Sequence, residues 1–247
     1  MLNTEKTPEA TATVAGRAHS ERIREMFARI AERYDLLNHL FSGNTDKRWR
    51  RIVAKTASEK FPPATDALVL DVACGTGDLS LQFKRDGFRR VVGVDFCRPM
   101  LEIAARKAEG KLPLLEADAL SLPFADNSFD VITIGFGLRN LASVEAGLNE
   151  LRRVLKLNGA LYVLEFSKPV VPGFSQLFQF YFRRVLPPIG DAINGGQGAY
   201  VYLSDSVQRF PDQKELAALM RKAGFEEVKY RNLTGGIAAL HTGVRSR

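Results

Sequence analysis

"VLDVACGTGDLSL", residues 69–81, opens as a short apolar run, breaks at two glycines and resumes with an acidic residue. An apolar strand running through a glycine turn into a helix is the entry of a parallel α/β sheet. Gly75 and Gly77 give the backbone a tight turn and let a ligand approach it closely. Twenty residues after Gly75 comes Asp95, closing the next apolar run "RVVGVDF". A carboxylate there can accept hydrogen bonds from both hydroxyls of a ribose.

The third glycine of the dinucleotide pattern is missing, since Leu79 and Ser80 follow Asp78, and no Lys-Ser/Thr pair completes a Walker loop. Both of those loops hold phosphate anions. Asp78 disfavours a polyphosphate and suits a cationic ligand. A nucleoside bearing a sulfonium and an ammonium, S-adenosylmethionine, meets the requirement. A bare structural turn is the plainer alternative.

Outward from the turn, strands and helices alternate: "ALVLDV", "LSLQFKRD", "RVVGVDF", "PMLEIAARKAEG", "LPLLEAD", "DVITIGFG", "VEAGLNELRRVLKLNG" and "ALYVLEF". Short apolar runs divided by helical segments predict a parallel sheet covered on both faces. Gly159 reads as the C-terminal stop of the seventh of these segments. Upstream, Ile23, Met26, Phe27, Ile30, Tyr34 and Leu37 recur at helical spacing, and a second helix follows before "FPPATD". After Pro169 the rhythm breaks. A helix "DQKELAALMRKAG" and strands "FEEVKYRNL" and "GIAALHTGV" end the chain. The expected organisation is a flexible segment 1–18 and a single domain 19–247. Within it, 19–62 forms a helical cap, and 170–200 is an insertion covering the substrate site.

At 247 residues and net charge +7 the composition is that of a soluble globule. No apolar run reaches membrane-spanning length, and the first residues lack a secretory core. The two cysteines and three histidines are spaced for neither a disulfide framework nor a metal site, which fits a reducing cytoplasm. Residues 17–60 hold eleven Lys or Arg against six Asp or Glu. That excess is either a solvated helical face or a contact with an anionic surface.

"EADALSLPFADNSFDVI" places Asp118 and Ala119 after the third strand, where an adenine amino group could bond. Asp71 could hold the glycine turn or reach the ligand's amino group indirectly. For Asp71 and Asp130 a cap or turn role is an equal alternative.

With these pieces in place, the sequence resembles class I methyltransferases. It is most similar to the C-methyltransferase family of ubiquinone and menaquinone biosynthesis. The likeness runs from about residue 20 to the C-terminus through "MFARIAERYDLLN", "LDVACGTGDLSL", "LPFADNSFDVITIGFGLRN", "LEFSKP" and "NLTGGIAALH". It implies a Rossmann-like fold with a mainly parallel seven-stranded sheet. The implied acceptor is a ring carbon of a prenylated demethyl-quinol, demethylmenaquinol first, with S-adenosylmethionine as cofactor. Cofactor contacts are implied at Thr76, Asp95, Asp118 and Ala119, beside Asp71 and the backbone at Gly75, Gly77 and Gly135. The family often has serine where this chain has Gly135, so one hydroxyl contact is lost.

Methyl transfer from a sulfonium needs no metal. It needs the acceptor carbon in line with the leaving sulfur, and donors or a cation to stabilise the ionised ring hydroxyl. Arg139 is assigned that cation; a surface ion pair is its plainer alternative. Asn140 supports the same oxygen. Tyr34 either closes over it or is plain core packing, and water takes the ring proton. Phe174, Leu177, Phe178, Tyr181, Phe182 and Val185 form an aromatic stripe, either core or a channel for the prenyl tail. A soluble, cytoplasmic enzyme touching the inner face of the membrane is the expected setting. A homo-oligomer or a quinone-synthesis complex is the candidate assembly, and no nucleic acid is expected. Two rivals are an RNA or protein methyltransferase and a non-catalytic S-adenosylmethionine-binding accessory protein; a nicotinamide dehydrogenase is a distant third.

Overall fold

The computed structural model describes residues 8–171 and 199–246. Two helices lead, α1 (Pro8–Ser42) and α2 (Thr45–Lys60). Then follow β1 (Leu68–Val72), α3 (Asp78–Arg85), β2 (Arg90–Asp95), α4 (Arg98–Ala108), β3 (Leu114–Glu116) and β4 (Phe129–Gly135). The chain continues through α5 (Val144–Val154), β5 (Leu155–Phe166), α6 (Ala199–Arg209), α7 (Gln213–Lys222), β6 (Glu226–Leu233) and β7 (Ala238–Val244). The described strands form one seven-stranded sheet in the order β3-β2-β1-β4-β5-β7-β6. β7 is antiparallel to both β5 and β6, and the remaining pairs are parallel.

Both faces are buried because apolar residues predominate on both sides of the central strands. Val69 and Val131 point to one core with Trp49, Val53, Phe83 and Phe88. Their neighbours Leu70 and Ile132 point to the other, with Leu148, Leu151 and Met220. The first core receives α2. Trp49 is buried against Phe136 and Phe166 and donates from its indole Nε1 to Thr234 Oγ1 at 2.9 Å. α7 is fixed by a capping box, with Asp212 Oδ1 accepting from the Glu215 amide and Glu215 Oε2 accepting from the Asp212 amide.

One local expectation is corrected. Gly159 does not end a helix: α5 stops at Val154, and residues 155–166 are one strand that passes through it. Asn158, at φ 63°, makes the bend there, and Gly159 packs so closely on Leu155 that a Cβ would meet its Cδ1 at 2.8 Å. α1 begins at Pro8, inside the segment read as a flexible lead-in. The aromatic stripe from Phe174 to Val185 lies outside the described residues, as does the side chain of Leu37. No described helix is long and apolar enough to cross a membrane.

Candidate active site

The sheet order reverses between β1 and β4, and a cleft opens beyond the carboxyl ends of those strands, where open α/β sheets bind ligands. β1 runs into the glycine turn, with Ala73 at φ 51°, Gly75 at φ 55° and Gly77 at φ 81°. Asp95, at the end of β2, secures this turn. Its Oδ2 accepts the Gly75 amide at 2.7 Å and its Oδ1 the Cys97 amide at 2.9 Å. Burial pushes Asp95 up to about 6, against those backbone donors.

The cleft spans about 680 Å³ with the open solvent at its mouth included. Its wall from the sheet is made by Ala73, Gly75, Asp95, Phe96, Ala117, Asp118, Ala119 and the segment Gly135–Gly137 with Asn140 and Leu141. Its cover is α1, which contributes Ser20, Phe27 and Tyr34. Those three lie seven residues apart, two helical turns each, so one stripe of α1 spans the opening. α1 is tied down by Asp35, whose carboxylate receives Thr76 Oγ1 at 2.5 Å and Lys107 Nζ at 2.8 Å, and by Glu32, paired with Arg106 at 2.7 Å.

Of the residues expected at the cofactor, Asp95, Gly75, Asp118, Ala119 and Gly135 line the cleft. Asp118 Oδ1 accepts the Leu120 amide at 2.9 Å and shapes its loop. A side chain at 135 would bring a Cβ to 3.1 Å from Leu79 Cδ2, so that methyl would have to shift. Thr76, Gly77 and Asp71 do not line it. The Thr76 hydroxyl is spent on Asp35. Gly77 is required by its left-handed φ and by Ala104, whose Cβ would stand 3.1 Å from an added one. Asp71 is buried beneath the turn, accepts from Ser80 Oγ at 2.5 Å, and is pushed by burial to about 7. Asp130 has neither the cap nor the turn role: it accepts the Leu68 amide and pairs with Lys156, joining β4 to β1 and β5.

Asp78 faces protein cations, not the cleft. It pairs with Lys107 and lies 3.7 Å from Arg50. Burial raises it, but these charges win and hold it below the usual carboxylate range. His39, Asp46 and Asp78 bring ligand atoms within 4.8 Å of one another, a cluster the sequence did not announce. Arg50 on Asp46 and Lys107 on Asp78 already neutralise it.

Tyr34 and Asn140 line the cleft, whereas Arg139 stands behind it. The Arg139 side chain is 5% exposed and pairs through Nη1 with Glu165 Oε1 at 2.8 Å, over the Phe166 ring. The ion pair weighed as the plainer alternative is therefore present, but buried and not at the surface. Its Nη1 also donates to the Phe136 carbonyl, and its Nε is buried without a partner. Phe136 holds that carbonyl in place at φ 58°, a costly conformation for a non-glycine residue. Glu165 was not singled out in the sequence, although it stands inside "LEFSKP" as an acid in an apolar strand. Burial raises it, against the Arg139 charge. Burial likewise raises the Tyr34 phenol, against the charge of Arg139.

The ubiE/COQ5 methyltransferase family model matches residues 15–245 of the chain. A demethylmenaquinone methyltransferase of Thermus thermophilus is 51% identical over 89% of this chain and 100% of its own. A ubiquinone/menaquinone biosynthesis C-methyltransferase UbiE of Citrifermentans bemidjiense is 43% identical over 91% of this chain and 97% of its own. Among solved structures, a SAM-dependent methyltransferase of Thermotoga maritima, a possible histamine N-methyltransferase, superposes with TM-score 0.63 at 22% identity. It covers 90% of this chain and 99% of its own, and it supports the fold alone.

Proposed function

The chain belongs to the ubiE/COQ5 methyltransferase family, and from that premise we propose that its cleft brings S-adenosylmethionine to a prenylated quinol. The enzyme is an S-adenosylmethionine-dependent methyltransferase of quinone biosynthesis. Demethylmenaquinol is the acceptor we assign, after the names of relatives such as the Thermus protein. The observation that carries this reading is Asp95, a buried carboxylate at the rim of β2 and on the cleft wall.

The residues present fit the cofactor. An added Cβ at Gly75 would find only Tyr34 Cε1 at 4.0 Å, so the turn leaves room for a ligand against its backbone. Asp95 would accept from the ribose hydroxyls, and the Asp118–Ala119 segment would bond the adenine edge. When bound, the cofactor supplies an electrophilic methyl group for in-line displacement. Phe27, Phe96, Met100, Phe136 and Leu141 give the acceptor an apolar bed. Tyr34 and Asn140 meet its ring hydroxyl as donors. Arg139 favours the ionised oxygen through its charge from behind, without leaving Glu165. The ring proton leaves to water.

Arg22, Arg29, Lys47, Arg48, Arg51 and Lys55 of α1 and α2 are exposed, and that surplus of cations supports contact with an anionic membrane carrying the acceptor. The chain thus works from the cytoplasm at that surface. The direct test is incubation of pure protein with methyl-labelled cofactor and either demethylmenaquinol or the demethylated benzoquinol, with mass spectrometry of the products. Label on the naphthoquinol ring carbon supports the assignment. Label only on the benzoquinol moves the acceptor, and label on neither removes the reading.

A further inference from the structure

We propose that Tyr202 is a positioning residue that fixes Asn140 as a hydrogen-bond donor toward the acceptor's ring oxygen. This rests on the quinol-methylation reading above. Tyr202 lies on α6, outside every motif that points to the site. Its hydroxyl is 3.1 Å from Asn140 Oδ1. At the other end of the same amide, Asn140 Nδ2 is 3.3 Å from the Phe136 carbonyl.

These two contacts determine which way the amide faces. The Phe136 carbonyl has no proton, so it takes the NH2 end, and the oxygen end must face Tyr202. The phenol is then the donor. Tyr202 is half-buried, and loss of water raises its pKa against Arg139 and Arg209, with Glu165 adding to the rise. It therefore keeps its proton wherever the enzyme works.

The consequence is directional. An ionised ring oxygen only accepts, so a group meant to stabilise it must offer hydrogens. Asn140 left to itself offers both an oxygen and an NH2, and the oxygen would repel the developing charge. Tyr202 occupies that oxygen and leaves the remaining N–H for the cleft. Its hydrogen bond also polarises the amide and strengthens that N–H as a donor. Arg139 shares the Phe136 carbonyl with Asn140, so the cation and the amide are set by one strained backbone position.

The test uses Tyr202→Phe, Asn140→Ala and the double variant, with 3-prenyl-1-naphthol as probe, whose ionisation is read by absorbance with S-adenosylhomocysteine in place of the methyl donor so that no transfer occurs. Tyr202→Phe should lower kcat about three- to tenfold, the size of one neutral hydrogen bond, and leave cofactor affinity unchanged. In the Asn140→Ala background the same change should cost less than about twofold. The pKa of the bound naphthol should rise by about half a pH unit in Tyr202→Phe, because a donor to its oxygenate is weakened. A fluorinated tyrosine at 202 keeps the ring shape and donates more strongly, so it should lower that pKa; this arm stands even where the Phe variant folds poorly. Equal losses in both backgrounds, an unchanged turnover, or a naphthol pKa indifferent to residue 202 would overturn the proposal. Where wild type methylates no quinol yet the naphthol responds to residue 202, the methylation reading fails and the positioning stands. Where wild type methylates and the naphthol does not respond, only the positioning fails.

Discussion

Asp95 Oδ2 accepts the amide of Gly75 at 2.7 Å across twenty residues of chain, so the acid that closes β2 also shapes the turn that closes β1. One carboxylate thus serves the fold and faces the cleft. Asp95→Ala should weaken cofactor binding by about 10- to 100-fold, the loss of charge-assisted hydrogen bonds. Calorimetry reads this directly, and unchanged affinity would remove Asp95 from the ribose.

The two buried acids set a pH dependence. Burial raises Asp71 to about 7 and Asp95 to about 6 from 3.8. The folded chain then holds protons the unfolded chain has released. The stability these groups contribute is full below pH 3.8 and is lost as pH rises through 6 to 7. Asp71→Asn, uncharged throughout, should gain melting temperature relative to wild type as pH goes from about 4 to about 7.5. A constant difference over that range would contradict the assignment.

Ribose donors at Asp95 favour its ionised form, so cofactor affinity should tighten from about pH 5 to about pH 7 with release of a proton. Calorimetry in two buffers of different ionisation enthalpy measures that proton. Asp95→Asn should abolish both the tightening and the release.

Arg139 and Glu165 are both nearly inaccessible, so removing one strands the other. Glu165→Ala should cost about 3–5 kcal/mol of unfolding free energy, an uncompensated buried charge. Replacing both with Met should restore much of that stability yet leave turnover low, because the charge behind Asn140 is gone. Full turnover in the double variant would make the pair purely structural.

Gly137 lets the ends of β1 and β4 approach. A Cβ there would lie 2.5 Å from that of Ala73. Gly137→Ala should therefore lose about 1–3 kcal/mol by overpacking and weaken cofactor binding, since Ala73 and Gly137 both line the cleft. Denaturant unfolding and calorimetry check the two effects separately.

Local pattern was enough for the parallel core, because Val69, Leu70, Val131 and Ile132 bury both faces and so form continuous apolar runs. It misread Gly159, where a glycine after a helical stretch looks like a stop. The helix ends five residues earlier, where Leu155 is already extended and begins β5. At the site, Asp95 was legible from its spacing to the glycine turn. Asp78 was misjudged because its partners, Lys107 and Arg50, come from other elements and no spacing links them to it. The partner of Thr76 was equally hidden, since its hydroxyl bonds Asp35 forty-one residues earlier. Glu165 and Tyr202 went unseen because each acquires meaning only through a side chain met in three dimensions, Arg139 and Asn140.

The most direct measurement is a crystal structure with S-adenosylhomocysteine. The expected result is its ribose hydroxyls on Asp95, its adenine edge beside Asp118 and Ala119, and the thioether facing Asn140 beneath Tyr34. An occupied site elsewhere, or a ribose that leaves Asp95 bonded only to Gly75 and Cys97, would contradict it.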